Sequence, residues 1–86
     1  MEIQLTKSFE RDYRDLPVSI QKRLDKQLAY LLENSRRFSL GIKKMEGHSS
    51  VWEGRISRQW RFTFQISGNR YIMRRAGTHA ILRTPY

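Results

Sequence analysis

The run Trp60-Arg61-Phe62-Thr63-Phe64-Gln65-Ile66 alternates large apolar with polar side chains without a break. Such alternation is the pattern of a strand with one dry face and one wet face. A strand of this kind needs an apolar cover, and 86 residues leave room for one domain, residues 1–86, to supply it. The cover is upstream. Ile20, Leu24, Leu28, Leu31 and Leu32 fall at helical spacing, while Gln21, Lys22, Arg23, Asp25 and Lys26 occupy the outer face. This helix is expected to reach Glu33–Ser35, and Pro17 suits its first turn. A shorter helix carrying Phe9 and Tyr13 precedes it, capped by Thr6 or Ser8 and ended at Leu16-Pro17.

The remaining elements are extended. Glu2–Leu5 alternates as a short first strand, and Val51–Ser57 and Tyr71–Arg75 flank the central one. Ser67-Gly68-Asn69 reads as a hairpin turn and Gly77-Thr78 as a strand end. Residues 36–50 read as an irregular connection anchored by Phe38, Leu40, Ile42 and Met45, and His79–Tyr86 as a tail or short final element. The predicted order is β-α-α-β-β-β. It makes an α+β domain with two N-terminal helices packed on one face of a small, largely antiparallel sheet. Trp60, Phe62, Phe64 and Ile66 should meet the helices, and Arg61 should lie on an open opposite face.

Charge is divided along the same line. Residues 1–35 hold six basic and six acidic side chains, whereas residues 36–86 hold eleven basic residues with only Glu46 and Glu53, so the whole net charge of +9 belongs to the sheet-forming half. A basic sheet face interleaved with aromatics suits a polyanion, nucleic acid first. The absence of Cys excludes a disulfide framework and thiolate chemistry, and two His without Cys argue against a structural zinc. No metal or other cofactor is expected. Without an 18-residue apolar run or a signal-peptide core, a soluble cytoplasmic protein that does not engage membranes is expected.

Several residues can carry chemistry. Arg61 sits mid-strand, where a charge is tolerable only on a wetted face. Its planar guanidinium forks onto phosphate oxygens, or it pairs with Glu53 on a neighbouring strand. Lys43, Lys44, Arg55, Arg58, Arg74 and Arg75 can ring the same concavity. Strand alternation sends only one of Arg74 and Arg75 there and leaves the other at an edge. His79 can lie beside Arg61. RNA cleavage needs a base for the ribose 2′-OH proton, a cation for the phosphorane and an acid for the leaving 5′-oxygen. Glu46, Glu53, His48 and His79 can serve as acid or base, and Arg61 as the cation. Trp52, Trp60, Tyr71 and the Phe residues read as core.

Lys43-Lys44-Met45-Glu46-Gly47-His48, Val51-Trp52-Glu53-Gly54-Arg55-Ile56, Trp60-Arg61-Phe62-Thr63-Phe64 and Arg75-Ala76-Gly77-Thr78-His79 together resemble the RelE/ParE toxin superfamily of bacterial type II toxin–antitoxin modules. The resemblance implies a toxin that enters the ribosomal A site and cuts mRNA, leaving a 2′,3′-cyclic phosphate. It implies phosphate or transition-state stabilisation by Arg61 and general acid or base work by His79, with Glu53 as a further catalytic candidate. Substrate-binding roles are implied for Lys43, Lys44, His48 and Arg55, joined as RNA-binding candidates by Arg58, Arg74 and the terminal aromatic Tyr86. Partners so implied are a cognate antitoxin, forming a toxin–antitoxin hetero-oligomer, and the ribosome with its mRNA. Many relatives follow the His with an acidic residue that would orient the imidazole; Ala80 stands there in this chain. Two other readings use the same surface: a ParE-like inhibitor of DNA gyrase without nuclease activity, and a non-catalytic nucleic-acid-binding module. An open face of net +9 should also attract an acidic segment that folds on binding.

Overall fold

The computed structural model describes residues 2–33, 41–48 and 50–86. In chain order the elements are strand β1 (Glu2–Leu5), helices α1 (Lys7–Asp15) and α2 (Val18–Glu33), and strands β2 (Lys43–Lys44), β3 (Val51–Arg55), β4 (Trp60–Ser67) and β5 (Arg70–Thr78). A 3-10 turn over His79–Arg83 follows. The strands form one sheet in the order β1-β5-β4-β3-β2. All pairs are antiparallel except β1 with β5, which is parallel. The α+β architecture is as expected. The two-residue strand β2 was not: Lys43 and Lys44 pair with Glu53 and Trp52 inside the segment read as irregular. Two residues are too few to display a period. Phe38, Leu40 and Ser35 lie outside the described residues, whereas Ile42 is buried in the core as expected and Met45 is half-buried.

Helix α1 starts where Thr6 Oγ1 accepts the Phe9 amide at 3.2 Å. The same hydroxyl donates to the Met73 carbonyl at 2.8 Å, so one side chain caps the helix and ties it to β5. Leu16 ends α1 in extended conformation, as a residue preceding proline should. The Pro17 carbonyl then accepts from Ile20 and Gln21, which places Pro17 just ahead of α2. The helices send Phe9, Leu16, Ile20, Leu24 and Leu31 against Phe62, Phe64, Tyr71, Met73 and Ala76 of the sheet. Trp52, Trp60 and Ile66 complete this layer as partly buried members. Phe64 stacks on Phe62 and meets Tyr71 edge-on, at 5.8 and 5.7 Å between ring centres.

Gly54 lies opposite Phe62 in the β3–β4 register. A Cβ there would sit 2.3 Å from the Phe62 ring, and that ring is only 1% exposed with no room to retreat. Gly54→Ala should therefore cost about 1–3 kcal/mol by overpacking, read as a lowered denaturant midpoint with an unchanged slope.

The helices are joined on their outer side by Tyr13, whose hydroxyl donates to Asp25 Oδ1 at 2.7 Å. That hydrogen bond, with smaller help from desolvation and the Asp25 charge, raises the Tyr13 pKa above its ordinary 10.0. Because the folded pKa is the higher one, the contribution is complete below the unfolded value and lost as pH climbs through the folded one. Tyr13→Phe should lower stability near neutrality and remove this part of the alkaline loss, as equilibrium unfolding across pH 8–12 would read (a window set roughly around the ordinary tyrosine value).

Candidate functional site

The face of β3 and β4 turned away from the helices carries the charged residues. Lys43, Glu53, Thr63 and Arg75 stand in one cross-strand row, and Arg55, Arg61 and Gly77 in the next. Between them opens a cleft of about 240 Å³ lined by Gly41, Lys43, Glu53, Arg55, Arg61 and His79. The sheet thus brings together Arg61, His79 and Glu53 with two of the binding candidates, while Glu46 and His48, also able to serve as acid or base, do not line this cleft. Glu53 is 9% exposed and its Oε1 lies 3.5 Å from Lys43 Nζ. The partner of Glu53 is therefore Lys43 and not Arg61, a correction to one reading of the sequence.

Arg61 grips the β3–β4 turn. Its Nη1 lies 2.7, 3.0 and 3.2 Å from the carbonyls of Ser57, Trp60 and Arg58. Those contacts use one nitrogen of a group with five N–H donors, leaving others for the cleft. The same turn reaches His79, whose backbone N–H donates to the Gln59 carbonyl at 3.0 Å. Turn, guanidinium and histidine are thereby set relative to one another. The His79 ring is exposed, and among the described residues it has no hydrogen-bonding partner, consistent with Ala80 in the next position.

The face is less open than expected, because the chain after β5 folds back over it. Thr63 Oγ1 donates to the Pro85 carbonyl at 2.7 Å, and both residues are fully buried. Ile81 is buried against Gly77, where a Cβ would come within 2.9 Å of the Ile81 side chain. Nothing periodic in residues 79–86 signals this packing; Ile81 and Pro85 were its only sequence traces.

A bulge overturns the expected separation of Arg74 and Arg75. Thr63 pairs with Arg75 and Phe64 with Met73, so Arg74 is an extra residue in β5. A bulge suspends strand alternation, and both side chains turn to the tail. Arg75 Nη1 donates to the Thr84 carbonyl at 3.1 Å and reaches its hydroxyl at 3.3 Å, while the Arg74 guanidinium lies 5.9 Å from the Tyr86 ring centre. Tyr86 in turn meets His48 edge-on at 6.0 Å. His48, Arg74 and Tyr86 form a second cluster, separate from the cleft. Lys44 lines an adjoining concavity with Lys43, Met45, Glu46 and Glu53. Arg58 is exposed at the β3–β4 turn and lines neither.

Sequence reasoning passed over Asp12. Its Oδ2 accepts from Arg75 Nε at 2.6 Å and from the Ala76 amide at 3.0 Å. An acid on a helix surface carries no sign of such a role; only its nearness to β5 reveals it.

No protein-family model matches this sequence, and no curated protein does. Solved structures do. The RelB-RelE antitoxin-toxin complex of Methanococcus jannaschii aligns at a TM-score of 0.78, with 23% identity over 94% of this chain and 95% of that one. This chain has the RelE/ParE toxin fold. The YoeB/ParE toxin of Agrobacterium tumefaciens aligns at 0.67 with 22% identity, over 92% and 99% of the two chains. The intact E. coli RelBE toxin-antitoxin complex aligns at 0.71 with 18% identity, over 88% and 93%. The expected fold family is therefore met in three dimensions, while identities this low carry the fold and not the residue roles.

Two substitutions probe this geometry. Thr63→Val strands the buried Pro85 carbonyl and should cost about 1–3 kcal/mol of unfolding free energy. Arg61→Ala should speed amide exchange at Trp60, whose N–H bonds the Ser57 carbonyl within the turn, by roughly tenfold, leaving Met73 in the core unchanged.

Proposed function

We propose that this protein is the toxin of a type II toxin–antitoxin pair and acts as an endonuclease on mRNA in the ribosomal A site. The observation that carries the proposal is the cleft in which Arg55, Arg61, Lys43, Glu53 and His79 converge. Cations there can hold a phosphodiester while a neighbouring group removes the ribose 2′-OH proton. The 2′-oxygen attacks phosphorus, the 5′-oxygen leaves with a proton, and a 2′,3′-cyclic phosphate remains. His79 and Glu53 are the groups able to exchange those protons. The free donors of Arg61 stabilise the charge that builds on the phosphorane. Lys43, Lys44 and Arg55 contact the backbone of the flanking RNA, Arg58 meets it from the turn, and His48, Arg74 and Tyr86 meet it from the second cluster. An acidic antitoxin segment covers the same basic face when the toxin is held inactive. Two of the structural relatives are toxin–antitoxin complexes.

Purified protein added to translating ribosomes with a defined mRNA should cut it within the A site. Arg61→Ala should slow cutting by about 100-fold or more, and His79→Ala should slow it as well. Intact mRNA with wild-type protein, or full cutting by Arg61→Ala, would overturn the assignment. The unpartnered His79 ring beside Ala80 favours a second reading, a gyrase inhibitor that needs no proton transfer. It is selected by blocked DNA supercoiling with mRNA left whole.

A further inference from the structure

Helix α1 lies on the core side of the sheet and the tail on the other, yet hydrogen bonds run unbroken from one to the other. β1 pairs with β5 only as far as Met73; just beyond it the Thr6 hydroxyl reaches the Arg74 carbonyl at 3.4 Å, and the ladder goes no further along this edge. Asp12 fills the gap. Its Oδ2 takes the Ala76 amide at that edge and the Arg75 Nε together. The Arg75 guanidinium bends around the edge and, through Nη1, holds the carbonyl and hydroxyl of Thr84. The residues that follow Thr84 are Pro85, fastened to Thr63, and Tyr86, set against Arg74 and His48. The carboxylate also offsets one of two adjacent guanidinium charges that the bulge has turned to the same side.

We propose that Asp12 is a positioning residue for the tail: acting through Arg75, it sets where Pro85 and Tyr86 lie on the sheet face. Its importance for cleavage rests on the function proposed above; its hold on the tail does not. Without the Asp12 charge, Arg75 keeps its own charge but loses the partner that aims it, and the fork on Thr84 opens.

The test follows amide exchange at Thr84, whose N–H bonds the Ile81 carbonyl, and the ring resonances of His48 and Tyr86. In Asp12→Asn, Thr84 should exchange about tenfold faster and both rings should move toward their unstructured shifts, while core amides such as Met73 keep their protection. Asp12→Glu should restore part of the effect. Arg75→Gln should reproduce it, and the double variant should exceed neither single one, since both break one chain of contacts. On ribosomes Asp12→Asn should raise KM roughly tenfold with kcat unchanged, because the tail carries Tyr86 among the RNA-binding residues. Wild-type exchange and shifts in Asp12→Asn, or additive effects in the double variant, would each overturn the proposal, and an unchanged KM with a loosened tail would overturn its importance for cleavage. If Asp12→Asn does not fold, Arg75→Gln decides: an unchanged Thr84 rate there overturns it equally. A wild-type protein that cuts no mRNA removes the proposed nuclease function, and the exchange and ring measurements still decide the hold on the tail.

Discussion

Everything in this molecule hangs on β4 having two unlike faces. Phe62 and Phe64 point into the helical layer and are almost wholly buried, while Arg61 and Thr63 point the other way. The hydrophobic core fixes the strand's register, because a slip of one residue would bury Arg61 and expose both Phe rings. That register aligns Arg55 with Arg61 and Glu53 with Thr63. The arrangement of charges in the cleft is thus a by-product of the packing on the opposite side, and the glycine that lets Phe62 settle on β3 contributes to both.

The charged side chains are also building material. Arg61 closes the β3–β4 turn, Arg75 joins α1 to the tail, and Lys43 accompanies Glu53. A guanidinium serves such dual use well, since it can spend one nitrogen on fixed carbonyls and still present others to a ligand. A chain of net charge +9 is easier to fold when part of its charge is tied to backbone oxygens and carboxylates. It is also more selective, because the free donors are then held in place rather than spread over many rotamers.

Much of the fold was legible beforehand. The helices could be read because Ile20, Leu24 and Leu31 repeat at helical spacing, and β4 because its apolar residues repeat every second position. The cleft was legible in part, since alternation within β4 sets Arg61 on the face opposite Phe62, whereas Glu53 joins that face through the β3–β4 register. Parity failed at Arg74 and Arg75, where an extra residue in β5 breaks the count. It was also silent on Asp12, whose partners lie 63 and 64 positions away. The short final element after β5 was expected, but its packing over the sheet was not, for a related reason: a 3-10 turn and a lone buried proline have no repeat to detect.

Local patterns thus decided which segments form helices and strands, which faces are apolar, and that the basic residues gather on the sheet. These are properties of residue spacing, felt between near neighbours. Only the tertiary structure decided that the tail closes over Thr63, that Arg61 holds a turn and leaves Glu53 to Lys43, and that His48 faces Tyr86 while His79 faces the cleft. Those outcomes depend on contacts between distant parts of the chain, whose geometry exists only once the core has set every strand in register.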